Sequence, residues 1–435
     1  MAEAPRFQAP TGTFDVLPPA SARWQELLAR FSAVAGGAGY GLVINPLFED
    51  VGVFLRGIGE GSDVVTKEMY ELVDKGDRRL ALRPEGTASV VRAFVQHRPP
   101  VPFKAWYATP AFRYERPQAG RYRQHHQLGI EALGSEDPDL DVEVVAVGHD
   151  FYRSLGLRRV TVKVNSMGDR DCLPGYRTAL AEYLEARAGE LCDEHREKWR
   201  ANPLRVLDCK KPACRAATAD APTTVDFLCE PCRTHFERVR TGLDDVGIEH
   251  VLDFRLVRGF DYYTRTTFEF VAEALSSAQN AVGGGGRYDG LVESLGGPPT
   301  PGIGFGMGIE RLLLACDAEE VLPGPAAQVD VFVVDVTGGA QALALTAELR
   351  RAGVRADRAF DGRSMKAQLR AADRSGAALA VIVGEDELTA GTAVVKAMSG
   401  GEGQQVVSRG EVLRAVRAVL DGPARIDEFD GEGTA

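Results

Sequence analysis

FRYERPQAGRYRQHHQLGIEALG, residues 112–134, is the stretch on which the reading of this chain turns. Residues 104–115 are rich in aromatic side chains and run into Arg-Pro-Gln-Ala-Gly, a strong turn signal. From Arg121 the pattern has a period of two. Arg121, Arg123, His125, Gln127, Gly129 and Glu131 share one face, and Tyr122, Gln124, His126, Leu128 and Ile130 the other. The spacing predicts a β-hairpin, with Arg113 and Glu115 arriving in the same alternation from its first strand. Burial of apolar surface has no use for so many arginines with a glutamine and a glutamate among them. A polyphosphate has, because guanidinium forks match phosphate oxygens and stay charged. The same residues also fit a solvated sheet face with cross-strand ion pairs, so the rest of the chain must decide.

The 435 residues are enough for two or three domains with ample core. A content of 44% hydrophobic and 26% charged residues is that of a soluble globular protein. No apolar run is long enough to span a bilayer, and MAEAPRFQAP has no signal-peptide core, so a cytoplasmic location is expected. The net charge of −11 argues against a general nucleic-acid coat but leaves room for a local basic face. Seven cysteines, an odd number with four clustered, speak against a secreted disulfide framework.

Toward the N-terminus, Trp24, Leu27, Leu28 and Phe31 form an apolar stripe that predicts a helix over 20–35, ended by Gly36, Gly37 and Gly39. A strand over 40–49 is expected, broken at Pro46. Stretches 64–73 and 79–83 predict a hairpin that delivers Arg83-Pro84-Glu85-Gly86-Thr87 to the start of a helix over 88–96. Alone, Glu85 there reads as a charge favourable to the helix dipole. Beyond residue 134, a helix over 139–155 and a strand over 160–164 are expected. Residues 170–253 then change character: helical stretches over 176–187 and 234–245 bracket a Cys- and Pro-rich segment, expected to be an inserted, mostly helical domain. Its Cys209, Cys214, Cys229 and Cys232 have the short spacings of a structural zinc site, with His235 a spare ligand. The same spacings fit semi-buried thiols in a small domain.

LVRGFDYYTRTTFEF, residues 256–270, sets Arg258 four residues before Tyr262 and places Tyr263 beside it, ahead of a strand. GGGGRY at 283–288 lacks the Gly-Lys-Ser/Thr ending of a phosphate loop and reads as a flexible hairpin. PGIGFGMGIERLLL at 301–314 has glycines at 302, 304, 306 and 308, a strand with one face stripped bare. Something must pack flat against that face. A helix follows, with Arg311 in its first turn. After a Pro/Gly linker at 322–328, strands over 329–336, 354–357, 378–383 and 392–397 and helices over 341–352, 364–374 and 410–420 predict an α/β domain. Residues 350–374 hold eight Lys or Arg against three Asp, and Lys366, Arg370 and Arg374 share a helical face. For any single helix a solvated face is the simpler reading. The acidic stretch 422–435 is expected to be disordered.

Taken together, these segments resemble one family. The hairpin is similar to motif 2 of the class II aminoacyl-tRNA synthetases in the version carried by histidyl-tRNA synthetases. Residues 20–49 resemble motif 1, which builds the dimer interface in that class. Residues 301–314 resemble motif 3, and 256–270 resemble the segment peculiar to histidyl enzymes. Residues 329–421 resemble the family's anticodon-binding domain. The resemblance implies a class II antiparallel sheet with flanking helices over 1–325, interrupted by the 170–253 insert, and an α/β anticodon domain after it. It implies a homodimer that joins L-histidine to tRNA(His) with ATP and Mg²⁺, without DNA or membrane partners.

The resemblance also implies roles. Arg113 and Arg258 hold the α-phosphate and are the catalytic pair; Arg121 and Arg311 meet the outer phosphates. Glu115 receives the adenine amino group. His125 stands where the family commonly has a phenylalanine stacked on adenine, and imidazole, unlike phenyl, can protonate. Glu85, Gly86, Thr87, Gln127, Glu131, Tyr262 and Tyr263 take the histidine, and Gln118, Lys366, Arg370 and Arg374 the tRNA. Two other classes share the core: a histidine-sensing regulatory subunit of ATP phosphoribosyltransferase, and a synthetase-like RNA-binding scaffold. The first typically lacks the anticodon domain and has a degraded histidyl segment, whereas both are present here. Intact Arg113, Arg258 and Arg311 argue against the second.

Overall fold

The computed structural model describes residues 7–59, 62, 64–200, 202–257, 262–276, 280–324, 329–398 and 403–421. Arg258 and the acidic stretch from 422 therefore lie outside the described residues. The chain divides into two compact units, Met1–Pro323 and Gly324–Ala435.

The first unit is built on an eight-stranded sheet. Its order is Gly41–Leu42, Phe103–Phe112, Gln124–Leu133, Gly302–Gly308, Ala281–Arg287, Thr264–Ala272, Val160–Ser166 and His250–Leu252. The six inner strands are antiparallel, and each outermost strand joins in parallel. Leu128, Ile130 and Ala132 alternate into a buried layer with Leu27 and Phe31 of helix Ala20–Gly37 and Val144, Val145 and Phe151 of helix Pro138–Ser154. Helix Glu230–Asp245 adds Phe236, Val239 and Leu243, and helix Ile309–Ala318 adds Leu312 and Ala315. Each large apolar side chain buried this way contributes about 1.5–3 kcal/mol. That fixes the closed face of the sheet and turns Gln127, Gly129 and Glu131 to the other.

Several expected elements differ. The 40–49 strand is split: Gly41–Leu42 joins the large sheet, and Phe48–Asp50 pairs with Arg79–Leu82 in a small sheet completed by Tyr70–Val73. Pro46, which has no N–H to give, lies between them. Residues Val64–Glu68 coil into a helical turn rather than a strand, because Ser62 takes the N–H groups of Val65 and Thr66. GGGGRY is not a flexible hairpin; Ala281–Arg287 is an inner strand. The glycines let it lie against its neighbour, since a Cβ on Gly285 would sit 1.9 Å from the Gly304 carbonyl oxygen.

The hairpin strands stop at Phe112 and start again at Gln124, so Arg113, Glu115, Arg121 and Arg123 belong to the connection, not to the ladder. Polar contacts shape that connection. The Arg113 N–H donates to the Arg123 carbonyl (2.8 Å), and Gln118 and Arg121 exchange backbone bonds of 3.0 and 2.9 Å around Gly120, whose φ is +69°. Arg123 lies over the Tyr114 ring at 4.1 Å, and Arg121 Nε meets Glu115 Oε2 at 2.9 Å.

The expected insert divides by its packing. Tyr176, Leu180, Leu184, Leu191, Trp199, Val206, Leu207 and Ala217 form a small core of their own. Helix Glu230–Asp245 instead joins the core of the large sheet, and His250–Leu252 pairs with Val160–Ser166. An apolar stripe wide enough to dock on the sheet draws 230–252 out of the insert.

The second unit holds a five-stranded sheet in the order Ala356–Arg358, Val331–Asp335, Leu379–Val383, Thr392–Ala397, Gln404–Ser408. The first three strands are parallel, joined through helices Ala340–Arg351 and Met365–Ser375, and the last two add antiparallel. Val331, Val333, Leu345, Leu349, Val381, Val395 and Val416 fill its core. Helix Glu385–Ala390 and strand Gln404–Ser408 were not expected: the first is short, and QQVVS carries too few apolar residues to announce a strand.

Candidate active site

The site face of the sheet converges on Glu131. This carboxylate is fully buried. Its Oε1 accepts from the hydroxyls of Thr87 (2.7 Å) and Tyr107 (3.3 Å), and Oε2 accepts from the Tyr288 hydroxyl. Three donors favour the ionised form, yet burial outweighs them and raises the Glu131 pKa to about 8. Desolvation also lifts Tyr107, Tyr262 and Tyr288 well above the ordinary phenol value, so they remain donors.

The bare glycines of 302–308 now have their reason. A Cβ on Gly304 would lie 1.9 Å from Glu131 Oε2, and one on Gly306 would lie 2.0 Å from Gln127 Nε2. The expected flat-packing partner is therefore the pair of polar side chains on the adjacent strand.

Glu85 sits at the start of helix Thr87–His97, where its oxygens accept from the N–H groups of Thr87 (2.6 Å) and Ala88 (2.9 Å). This is the helix-terminal placement that the residues alone suggested. Burial nonetheless raises its pKa. The Gly86 N–H donates to Gln127 Oε1 at 2.9 Å, which ties that turn to the hairpin. Gly86 admits no side chain, because Tyr107 lies 2.3 Å from where its Cβ would be. The rings of Tyr262 and Tyr263 stand 4.6 Å apart, and Tyr262 meets Tyr288 edge-on at 5.8 Å. Glu85, Gly86, Thr87, Gln127, Glu131, Tyr262 and Tyr263 thus gather in one cluster. Tyr107 and Tyr288 belong to it too and were missed. Tyr107 pairs with Gly129 across the strands, so an aromatic facing a glycine was the available signal.

Alongside lies the cationic part. Arg113 Nε donates to the Pro84 carbonyl (2.9 Å), and Arg311 donates to the carbonyls of Gly120 (3.1 Å) and Ala281 (3.0 Å). These bonds set the two guanidinium planes. Burial, then the charges of Arg113, His126 and Arg311, pull the His125 pKa down to about 3. Burial thus favours the neutral form of His125 at physiological pH. His126 faces away, bonded through Nδ1 to Glu310 Oε1 (2.9 Å) and edge-on to Trp24. Gln118 is exposed on the connection.

The four cysteines expected around one metal are not brought together. Cys209 and Cys214 gather with Cys192 and His195, whereas Cys229 and Cys232 gather with Asp169 and Cys172. The break falls where the packing of the insert divides, before helix Glu230–Asp245. His235 joins neither group; it is buried 3.8 Å from Asp141. In the second unit, Lys366, Arg370 and Arg374 are exposed on helix Met365–Ser375, opposite buried Gln368 and Ala372.

Comparison with known proteins agrees with this geometry. Residues 12–312 match the family model for histidyl-tRNA synthetase, and residues 328–419 match that for an anticodon binding domain. The histidine–tRNA ligase of Rhodococcus erythropolis is 49% identical over 411 residues, 93% of this chain and 96% of that one. The crystal structure of apo histidyl-tRNA synthetase from S. aureus superposes with a TM-score of 0.79 at 34% identity, covering 95% of this chain and 100% of that one. A Bacillus halodurans protein described as an ATP phosphoribosyltransferase regulatory subunit/histidyl-tRNA synthetase gives a TM-score of 0.61 at 20% identity, over 82% of this chain and 93% of that one. That last likeness is one of fold alone. The fold, the converging site and nearly full-length identity point the same way: the chain belongs to the histidyl-tRNA synthetase family.

Proposed function

We propose that this chain activates L-histidine with ATP and passes it to the 3′ end of tRNA(His). The observation that carries the reading is the buried Glu131, ringed by Thr87, Tyr107 and Tyr288, with the paired rings of Tyr262 and Tyr263 beside Tyr288. An apolar pocket cannot select an imidazole. A buried carboxylate can, because an imidazole N–H gives it a further charge-assisted hydrogen bond that a side chain without an N–H cannot make. Glu85, Gln127 and the Gly86–Thr87 turn receive the ammonium group.

In the first step a histidine carboxylate oxygen attacks the ATP α-phosphorus. The bond to the bridging oxygen breaks and pyrophosphate leaves. Charge grows on the α-phosphoryl oxygens, so positioning and cations do the catalysis. We assign Arg113 and Arg258 to the α-phosphate, Arg121 and Arg311 with Mg²⁺ to the outer phosphates, and Glu115 to the adenine amino group, with neutral His125 stacked on the ring. The Arg121–Glu115 contact of the free protein must then open when ATP binds. In the second step a hydroxyl of the terminal tRNA ribose attacks the histidyl carbonyl and AMP leaves. Gln118 faces the acceptor end, and Lys366, Arg370 and Arg374 face the anticodon arm. Leu42, Ile44, Leu47 and Phe48 are exposed in the stretch that resembles motif 1, which supports a homodimer. A protein of translation is expected in the cytoplasm; among the described residues no helix is long and apolar enough to cross a membrane.

Histidine-dependent exchange of pyrophosphate into ATP tests the reading. Exchange is expected with histidine and not with other amino acids. Arg258→Ala should lower kcat by about 10²–10³ with little change in the KM for ATP, the usual cost of losing one preorganised charge donor. No exchange by the intact chain would sink the enzymatic reading in favour of histidine sensing.

A further inference from the structure

None of the seven cysteines is in a disulfide. Six of them stand in the two groups described above, and the groups differ in donor chemistry. We propose that Cys192, His195, Cys209 and Cys214 form a structural zinc site inside the helical insert.

The distances are those of a tetrahedron waiting for its centre. Cys192 Sγ lies 3.2 Å from His195 Nδ1 and 4.0 Å from Cys209 Sγ, and Cys214 Sγ lies 3.9 Å from the same Nδ1. All four donor atoms fall within 4.8 Å of one another. A zinc ion bonded at about 2.3 Å to sulfur and about 2.0 Å to nitrogen sets its sulfurs about 3.8 Å apart and each sulfur about 3.6 Å from the nitrogen. Three sulfurs and one imidazole with no carboxylate make the donor set of a closed site, with no position left for a reacting water. The Cys192 N–H also points at Cys214 Sγ, 3.4 Å away, the kind of outer bond that supports a ligating thiolate.

The insert has a need for such a site. Between helix Leu173–Glu185 and the large sheet, its α-helices include Asp193–Lys198, Leu204–Leu207 and Pro212–Ala217, of six, four and six residues. Helices this short are not stable by themselves. The proposed ligands lie just before the first, within the first, after the second and inside the third, so one ion ties all three together. The other group is already satisfied without metal: Asp169 Oδ2 accepts from the Cys232 thiol at 3.0 Å, and Oδ1 accepts from the N–H groups of Asp171 (2.9 Å) and Cys172 (3.2 Å).

The test uses the full chain, purified without chelator, with zinc measured by plasma mass spectrometry. About one zinc per chain is expected. Cys209→Ser, at the half-buried edge of the group, and His195→Ala should each lower the content by about one equivalent, whereas Cys232→Ser should not. After the metal is stripped, added cobalt(II) should give the intense visible bands of tetrahedral sulfur ligation in the parent chain and lose them in Cys209→Ser. His195→Cys should keep the metal, which separates loss of a ligand from loss of the fold. Two results overturn the proposal: a parent chain that neither carries zinc nor takes up cobalt(II), or a zinc content that survives Cys209→Ser and His195→Ala.

Discussion

Glu131 shows how much a single residue's environment decides. In the sequence it is one more outward position on an alternating strand. In the fold it is sealed among two tyrosines and a threonine, and burial holds its pKa near 8 against three hydrogen-bond donors. The free protein at neutral pH therefore carries it mostly protonated, while its proposed role, accepting an imidazole N–H, is served best by the ionised form. It follows that kcat/KM for histidine should climb with pH and level off near 8, and that Glu131→Gln should lose that limb along with about 10²-fold in rate constant. Stability gives an independent reading. A carboxyl whose folded pKa lies above its ordinary 4.5 stabilises the fold fully below 4.5, and that contribution is lost as pH rises through about 8. Thermal unfolding of Glu131→Gln should accordingly show a flatter pH dependence between pH 5 and 9 than the parent. An unchanged rate limb in the variant would assign the titration to another group.

Among the elements, the glycine-rich strand Ala281–Arg287 carries the clearest lesson. It ends in Arg287, fully buried against Asp141, with further bonds to the Ser135 carbonyl (2.9 Å) and Asp289 (3.2 Å). The strand can sit between two neighbours only because it is nearly free of side chains, and the buried ion pair then fixes its end to helix Pro138–Ser154. Removing one partner of such a pair leaves a bare charge in the core, so Arg287→Ala should cost about 3–5 kcal/mol. Replacing both, as Arg287→Met with Asp141→Leu, should recover much of that loss. Urea unfolding of the three chains measures it, and a single variant as stable as the parent would mean that water reaches Asp141.

For the whole molecule, the chemistry and the basic helix fall in separate compact units. Lys366, Arg370 and Arg374 are exposed, and none has an ion-pair partner among the described residues. Three solvated cations on a helix add little to stability, but they can displace counterions from a nucleic acid. Changing all three to Ala should weaken tRNA binding and flatten the slope of log affinity against log salt by about two to three units. Histidine-dependent pyrophosphate exchange should be untouched. Filter binding across a salt series, run beside the exchange assay, checks both; equal tRNA affinity at low salt would leave the stripe a solvated face.

The sequence by itself determined the sheet core, the motif segments and the second unit's strand–helix alternation. Apolar periodicity and turn residues act locally, so Leu128–Ile130 and Trp24–Leu27–Phe31 could be read before any contact was known. It also announced that something flat lies on Gly304 and Gly306, though not what. Only the tertiary structure supplied Gln127 and Glu131 as that partner, added Tyr107 and Tyr288 to the site, and turned GGGGRY from a loop into an inner strand. It also undid the four-cysteine group, sending Cys209 and Cys214 to Cys192 and His195 instead. The physical reason is common to all of these. Spacing along a chain fixes which residues share an element, but which elements meet is set by where each can bury its apolar face. Helix Glu230–Asp245 found that burial on the large sheet and carried its two cysteines away with it.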